Sequence, residues 1–298
     1  MRVHLVDGTF ELFRAHFSKR PGHVAPAGWE AKATVGLAIS LLGLLHDARE
    51  AVTHVAVAFD NPIRSFRNAL WPGYKTEEGV APELLAQFDA AEAASRALGV
   101  TVWSMREHEA DDALATAALR FRDAVEQVRI MTPDKDLGQC LVGRRVVLVD
   151  RIRNKDVDEE ALLARRGIRP ESVPDFLALV GDDADGIPGL PGFGEKTAAA
   201  LLARHVHLEA IPKRAAEWPG GIRGAAQLAQ ALATEWEAAL LYRRLATLVT
   251  DVPLPESLED LRWAGVPRAR FTAWCEELGA TSLLPTLEAR GARWAAAG

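Results

Sequence analysis

Carboxylate side chains occur in five short groups along this chain, and most groups directly follow an apolar run that predicts a buried strand. The groups are Asp7; Asp60; Glu109, Asp111 and Asp112; Asp134 and Asp136; and Asp182 and Asp185. The carboxyl ends of parallel strands share one edge of a sheet, which is where ligands bind. Acids crowded at that edge would repel one another, by on the order of several kcal/mol, unless cations neutralised them. They therefore indicate a site for divalent metal ions and, through it, phosphate chemistry.

Each acidic group also has an ordinary structural interpretation when it is taken alone. The EADD group at 109–112 opens an Ala-rich segment, where the helix macrodipole favours acids. The pair in TPDKDL at 132–137 suits an Asx turn. The pair in GDDADG at 181–186 suits a loop or helix cap, and it lacks the later Glu of an EF-hand. Asp7 and Asp60 could each be solitary strand-end acids. Five such coincidences would be needed together, so a shared metal site is the preferred interpretation.

The segment LPGFGEKTAAA at 190–200 is the second strong feature. Gly192 and Gly194 allow a tight turn before a helix, so backbone N–H groups and a positive helix end can approach a phosphate. A Walker A loop is excluded because Glu195 separates Gly194 from Lys196 and no strand precedes the segment. The alternative is an ordinary turn between two helices.

Basic side chains near Asp60 are candidates for contacts with phosphate. Lys75, in WPGYK, is the candidate beside the metals, and a solvated loop lysine is the alternative. Arg64 and Arg67 lie close to it in sequence, and Arg14 falls on the first helix. These arginines could contact phosphates or pair with surface acids.

Composition excludes several protein classes. The longest apolar run, 34–45, is too short for a membrane span of about 20 residues. MRVHLVDG carries a charge too early for a signal peptide. Cys140 and Cys275 lack a metal-ligand pattern, so a reducing, cytoplasmic location is expected. The formal net charge of −6 does not exclude nucleic acid, because two divalent ions would reduce it to −2.

The order of the predicted elements favours an α/β fold followed by a helical domain. Short apolar runs predict strands at Val3–Val6, Val55–Phe59, Thr101–Trp103, Val128–Thr132 and Val146–Val149. Amphipathic stretches between them predict helices at Ala31–Arg49, Pro82–Leu98 and Ala110–Arg122. This alternation is typical of a mostly parallel sheet flanked by helices. After about Asp150 only helices are predicted, at Asp158–Arg166, Val173–Val180, Glu195–His205, Ala225–Arg244, Arg268–Leu278 and Ser282–Glu288.

Six motifs together resemble the bacterial 5′–3′ exonucleases, which include the 5′-nuclease domain of DNA polymerase I and have flap endonucleases as relatives. They are VDG at 6–8, FD at 59–60, EADD at 109–112, DKDL at 134–137, GDDADGIPG at 181–189 and GFGEKTA at 192–198. They follow the family's order and spacing from Val3 to about Leu254. The segment 271–287 is similar to the short helical tail of the polymerase-attached forms. No polymerase domain follows, so a stand-alone nuclease is expected.

The resemblance implies a PIN-like nuclease domain at 1–165, with an arch-like segment at 70–98, a helix–three-turn–helix domain at 166–255 and a helical tail at 256–298. It implies a structure-selective 5′ nuclease that cuts DNA at flaps, nicks or free 5′ ends with two Mg²⁺ or Mn²⁺ ions, as a monomer that needs no membrane. The remaining implications concern single residues. The first metal would be held by Asp60, Glu109 and Asp111, and the second by Asp134, Asp136 and Asp185. Indirect contacts, through waters or hydrogen bonds, would come from Asp7, Asp112 and Asp182, and the catalytic residues would be Lys75, Asp111 and Asp112. The phosphates of the duplex would be bound by Gly192, Gly194, Lys196 and Thr197, with a possible K⁺ ion.

One segment departs from the family pattern. Relatives place an Arg a few residues after the equivalent of Lys75, on a basic arch, whereas this chain has Glu77 and Glu78 there and no Lys or Arg from 76 to 95. We therefore expect low activity or an altered substrate preference. The alternatives are a branched-DNA-binding protein with weak nuclease activity and a PIN-type ribonuclease, although the latter has no reason to carry a Gly-rich helical domain.

Overall fold

The computed structural model describes residues 1–289 and 291–296, in which alternating strands and helices give way to helices alone. The strands are β1 (Arg2–Asp7), β2 (His54–Asp60), β3 (Thr101–Met105), β4 (Gln127–Met131), β5 (Val146–Asp150) and β6 (Lys155–Val157). The helices are α1 (Gly8–His16), α2 (Lys32–Leu45), α3 (Arg67–Leu70), α4 (Pro82–Leu85), α5 (Phe88–Ala97), α6 (Ala110–Phe121), α7 (Glu159–Arg166), α8 (Val173–Val180), α9 (Glu195–His205), α10 (Ala225–Thr234), α11 (Trp236–Ala246), α12 (Arg268–Leu278) and α13 (Leu283–Ala289). All five predicted strands are confirmed.

The six strands form one sheet in the order β3-β2-β1-β4-β5-β6. The first five are parallel, and β6 runs antiparallel to β5 at the edge. This arrangement confirms the predicted fold class. Strand β6 was not predicted, because it is only three residues long; it follows a tight turn in which Asn154 has a φ of 51°. Asn tolerates this left-handed conformation, so Asn154 in the sequence RNK at 153–155 is the feature that could have predicted the turn.

Two hydrophobic cores cover the two faces of the sheet. Alternate residues of one strand supply opposite cores, as the pleat of a strand requires, with Leu5 in one core and Val6 in the other. The first core also contains residues of α6, α8 and α9, and the second contains residues of α2, α5 and α12. Because both faces are covered, only the edges formed by the strand ends remain open for a site.

Two long helices predicted from the sequence are each broken in two. The segment Pro82–Leu98 divides into α4 and α5 at Gln87, whose buried side-chain oxygen accepts hydrogen bonds from the backbone N–H and hydroxyl of Thr34 at 3.0 and 3.1 Å. This contact ties the break to α2. The segment Ala225–Arg244 divides into α10 and α11 at Glu235, which has a ψ of 23°.

The helical part of the chain packs on the sheet at two places. Helices α8 and α11 pack against each other in the first core, whereas the later segment returns to the opposite face. There Trp263 donates from its backbone to Thr53 at 2.8 Å and from its indole to the carbonyl of Leu98 at 2.9 Å. None of the helices in 1–289 and 291–296 is long and apolar enough to cross a membrane.

Candidate active site

A cleft of about 890 Å³ opens at the carboxyl edge of the sheet. Its lining includes five of the predicted metal-site acids, namely Asp7, Asp60, Asp111, Asp134 and Asp185. Four further acids adjoin these in sequence, namely Glu109, Asp112, Asp136 and Asp182, and all four are buried. The predicted acids that line the cleft come from segments as distant as β1 and the loop after α8, which only the fold brings together.

Asp7 and Asp60 end β1 and β2, and each is fixed by a backbone N–H of a following helix. Asp7 accepts from the N–H of Phe10 at 2.8 Å and from the hydroxyl of Thr132 at 3.0 Å. Asp60 accepts from the N–H of Ala110 at 2.6 Å. Burial raises the pKa of Asp7 to about 7, with added repulsion from Asp60, and burial also raises the pKa of Asp60. The pair therefore resists ionisation without a cation nearby.

Asp111 lies in the first turn of α6 and lines the cleft. Burial and the negative charges of Asp134 and Asp7 raise its pKa well above the ordinary value. No hydrogen-bond donor in the described part of the chain compensates this charge. Asp111 therefore resists ionisation unless a cation lies nearby.

Glu109 and Asp185 are joined by the ammonium group of Lys75. The Nζ atom lies 2.9 Å from Oε2 of Glu109 and 3.1 Å from Oδ1 of Asp185. Burial opposes ionisation of Glu109, but Lys75 and Arg67 outweigh it and lower the pKa of this carboxyl. Burial would likewise lower the pKa of Lys75, and the two acids instead raise it well above its usual range. Lys75 is therefore a charged member of the cleft.

Arg67 was expected to contact DNA at the surface and Asp112 to serve catalysis, but both side chains are buried and bind each other. Arg67 is 1 % exposed and donates two hydrogen bonds to the carboxylate of Asp112, which is fully buried. Asp112 also accepts from the backbone N–H of Glu109 at 2.9 Å, within a capping box at the start of α6. The prediction that Arg67 contacts DNA is wrong for this conformation, since its guanidinium is enclosed by protein. Asp112 holds Arg67 and does not line the cleft.

The loop after β4 holds a second acidic pair. Oδ1 of Asp134 accepts from the N–H of Asp136 at 2.8 Å, and Oδ1 of Asp136 is buried without a partner among the described residues. Burial and the charges of Asp134 and Asp182 raise the pKa of Asp136 to about 8. Asp182 is itself paired with the ammonium group of Lys135. An unpartnered buried carboxylate oxygen of this kind suits a hard cation or a water bound to one.

The predicted duplex-binding residues lie at the exposed start of α9. Gly194 is the N-cap of this helix, Lys196 is exposed, and the N–H of Thr197 donates to the carbonyl of Gly194 at 3.0 Å. Gly192 has a φ of 84°, a conformation that favours glycine. The intervening Phe193 is buried against Trp218, with ring centroids 6.4 Å apart, so the turn is anchored.

The other two predicted phosphate contacts differ in environment. Arg64 is exposed close to the cleft-lining Ile63. Arg14 is partly exposed, and its guanidinium pairs with the buried carboxylate of Glu11 and donates to the hydroxyl of Ser40 at 2.6 Å. Arg14 therefore has a structural partner already, whereas Arg64 remains available to a ligand.

Two aromatic residues beside Lys75 were missed in the sequence analysis. The hydroxyl of Tyr74 lies 3.2 Å from Oε2 of Glu109 and 3.3 Å from Oδ2 of Asp185, and the indole of Trp71 donates to the carbonyl of Gly186 at 3.1 Å. Both belong to the same WPGYK motif as Lys75, and this closeness in sequence is the feature that could have indicated their place at the site. They dock the base of the arch-like segment onto the loop that carries Asp185.

The donor set fits hard divalent cations, although it is not a preformed coordination shell. Within 1–289 and 291–296, no group of three or more His, Cys, Asp or Glu side chains is arranged as a metal site. The carboxyls that line the cleft nonetheless offer oxygen donors, and those of Asp7 and Asp111 have raised pKa values. The adjoining Asp136 adds a buried oxygen without a partner among the described residues. Cations that bind through oxygen, such as Mg²⁺, match these properties.

Comparisons with known proteins cover nearly the whole chain. Residues 2–167 match the family model of the 5′-3′ exonuclease N-terminal resolvase-like domain, and residues 168–269 match that of the 5′-3′ exonuclease C-terminal SAM fold. The chain is 32% identical to DNA polymerase I of Bacillus caldotenax over 288 residues, which are 95% of this chain and 32% of that protein. It is 36% identical to DNA polymerase I of Pseudomonas aeruginosa over 273 residues, 89% of this chain and 29% of the relative. The chain thus spans about a third of the length of these relatives.

Solved structures share the fold at low identity. One is the T5 D15 protein co-crystallised with metal ions, with a TM-score of 0.64, 18% identity, and coverage of 84% of this chain and 90% of that one. Another is the catalytic core of Rad2 in complex with DNA substrate, with a TM-score of 0.61, 13% identity, and coverage of 96% and 90%.

Proposed function

This chain belongs to the 5′-3′ exonuclease family, and from that membership we propose that it is a metal-dependent, structure-selective 5′ nuclease that hydrolyses DNA phosphodiester bonds. One observation carries the proposal, which is the convergence of Asp7, Asp60, Asp111, Asp134 and Asp185 on a single cleft together with Lys75. The DNA-bound Rad2 and metal-bound T5 structures support the choice of substrate and of cofactor class.

The residues of the cleft divide into metal-holding and phosphate-facing groups. Asp60, Glu109 and Asp111 would hold one divalent ion, and Asp134, Asp136 and Asp185 a second, with Asp7 and Asp182 acting through waters. Such ions, when bound, lower the pKa of a water and stabilise the leaving oxygen. Lys75 is ionised and partly exposed at the cleft, where it would neutralise charge on the scissile phosphate. Glu109 and Asp185 keep its ammonium group in position until substrate arrives.

The helical domain would hold the duplex beside the cleft. Exposed Lys196 and the backbone of the turn at Gly192 and Gly194 stand at the start of α9, where phosphate, or a K⁺ ion between backbone and phosphate, would bind. This assignment separates binding of the duplex from the chemistry at Asp111.

The test is cleavage of 5′-flap, nicked and gapped DNA duplexes with Mg²⁺ or Mn²⁺, with the product ends mapped. We expect cuts at or next to the junction, dependent on the metal. A matched RNA flap separates the proposal from a ribonuclease. Absence of metal-dependent cleavage from every DNA substrate would overturn it.

A second function is favoured by the acidic arch. Residues 76–95 contain no Lys or Arg, and Glu78 is exposed, so the protein would bind branched DNA while cutting it weakly. A binding assay without metal beside the cleavage assay distinguishes the two, because this alternative predicts tight junction binding and little product.

A further inference from the structure

The cleft that holds the acids also has a basic end. Four cationic residues line it at the opposite end of the sheet from the arch-like segment, namely Arg153, Lys155, Arg165 and Arg166. They come from the β5–β6 turn, from β6 and from the last turn of α7. We name this group the basic shelf. It stands in contrast to residues 76–95, which supply no cation.

Three members of the basic shelf have no acidic partner in the described part of the chain, and two of these three are exposed. Arg153 pairs with Asp150 at 2.8 Å, and the guanidinium of Arg166 lies over the ring of Phe176 at 5.4 Å. Lys155 and Arg165 are exposed and form no ion pair within 1–289 and 291–296. Their charges are therefore available to an anionic ligand.

Local explanations account for these cations only one at a time. Arg165 at the end of α7 is favoured by the helix macrodipole. Lys155 on an edge strand discourages pairing with another chain. Neither effect explains why cations from three segments line the same cleft. Binding of a ligand with repeated negative charge explains it.

The position of α7 connects the basic shelf to the turn that precedes α9. Gly167 directly follows α7, and a Cβ atom added there would stand 3.9 Å from that of Ala199 in α9. Helix α7 thus ends beside α9, whose first turn carries the exposed Lys196. A phosphate backbone that leaves this turn for the acidic cleft would pass the shelf.

We propose that the basic shelf binds phosphates of the DNA duplex arm between the start of α9 and the acids, and so supplies the backbone contacts that the arch-like segment lacks. This inference rests on the proposed function, whose substrate is DNA. It commits to duplex, because α7, which carries Arg165 and Arg166, ends beside α9 of the helical domain.

The experiment measures the salt dependence of binding to a plain DNA duplex and to single-stranded DNA, without divalent metal. In the K155A/R165A variant we expect weaker duplex binding and a plot of log affinity against log salt whose slope falls by about 0.9 for each lost contact, or about 1.8 in total. Binding of single strands should change little. K155R/R165K, which keeps both charges, should retain the wild-type slope, and thermal unfolding checks that the variants fold.

The matched control removes two exposed or half-exposed arginines from the other edge of the sheet. Arg49 and Arg122 precede β2 and β4, so R49A/R122A has the same change in net charge at a distance from the cleft. An unchanged slope for K155A/R165A, a loss equal to that of the control, or a loss confined to single strands would each overturn the shelf. If wild type binds duplex through the shelf but cuts no substrate with Mg²⁺ or Mn²⁺, the nuclease proposal fails and the shelf stands.

Discussion

Arg67 and Asp112 form a bidentate ion pair, with Nη1–Oδ2 and Nη2–Oδ1 distances of 2.8 and 2.7 Å, in which both side chains are buried. The same guanidinium donates to the carbonyls of Leu245 and Thr247 at 2.8 and 3.0 Å, and Asp112 accepts from the N–H of Val249 at 2.8 Å. One arginine thus joins the base of the arch-like segment, the start of α6 and the end of α11. Asp111 lies in the first turn of α6 and lines the cleft, so this pair fixes the segment that positions Asp111 there.

Replacing Arg67 tests that structural role. R67A leaves the buried carboxylate of Asp112 with backbone N–H donors but no cation, and it removes the donor to the carbonyls of Leu245 and Thr247. We therefore expect the free energy of unfolding to fall by about 3–5 kcal/mol. Urea denaturation measures it. R262A is the control, because Arg262 pairs with Glu259 at the surface and should change stability by less than about 1 kcal/mol. Equal stabilities of the two variants would contradict the assignment.

Replacing Asp111 tests the cleft itself. D111N removes a negative charge that lines the cleft while keeping the shape of the side chain, so under the proposed function we expect cleavage to fall by about a hundredfold or more. Duplex binding without metal should be retained. D183N is the matched control, since Asp183 is an exposed acid of the GDDADG motif that does not line the cleft. Cleavage by D111N at the D183N rate would refute the site.

The carboxyl groups whose pKa values are raised predict how the stability of the metal-free protein depends on pH. Burial raises the pKa of Asp7 to about 7 and that of Asp136 to about 8, from an ordinary value of 3.8. Between about pH 4 and pH 8 these two carboxyls therefore bind more protons in the folded state than in the unfolded state, and the stability that they contribute falls as pH rises. Thermal unfolding in EDTA should give a lower Tm at pH 8 than at pH 5. D136N should reduce that difference and D183N should not, whereas a Tm that rises over this window would contradict the prediction.

Addition of metal should reverse this loss. A cation that binds only the folded state stabilises it by about 2.7 kcal/mol at a hundred times its Kd. Because protons compete for Asp7 and Asp136 at low pH, Mg²⁺ or Mn²⁺ should raise the Tm more at pH 8 than at pH 5. In D111N the increase should be smaller. An equal increase at both pH values would argue against binding at these carboxylates.

The acidic arch predicts a gain of function from charge reversal. E78R replaces an exposed negative charge near Lys75 by a positive one, which favours a nearby phosphate by about 1 kcal/mol and so raises flap cleavage roughly fivefold at low salt. E277R is the control, because Glu277 is exposed on α12 and undergoes the same change in charge. Comparable flap cleavage by wild type and E78R would remove the idea that the arch limits capture of the substrate.

The sequence predicted the strands and the acids at their ends because both follow from local patterns. Apolar runs rich in Val gave the buried strands, and the carboxyl edge then placed Asp7 and Asp60. Roles within one motif were harder to predict. Asp111 and Asp112 are neighbours on α6, but a helix turns about 100° per residue, so one faces the cleft and the other faces the core. Only the packing of α3, whose Arg67 binds Asp112, shows which of the two acids faces the core.

The environment of long side chains also could not be read from the sequence. Arg64 and Arg67 are three residues apart, yet the first is exposed and the second is buried against carbonyls at 245 and 247. Those carbonyls come from a segment about 180 residues later, which no local pattern signals. Tyr74 was missed for a similar reason, since Asp185, one of its partners, arrives with the helical domain.

The contact between Gly186 and Gly73 has a consequence for biosynthesis. A Cβ atom on Gly186 would stand 2.0 Å from the carbonyl oxygen of Gly73, so two remote loops meet with no room for a side chain between them. Domains fold from the amino terminus as the ribosome releases the chain. A growing chain that has not yet reached Gly186 can form the sheet and expose Asp7, Asp60 and Asp111, but Lys75 still lacks its partner Asp185. The nascent protein therefore completes this group of acids around Lys75 only after the helical domain has emerged.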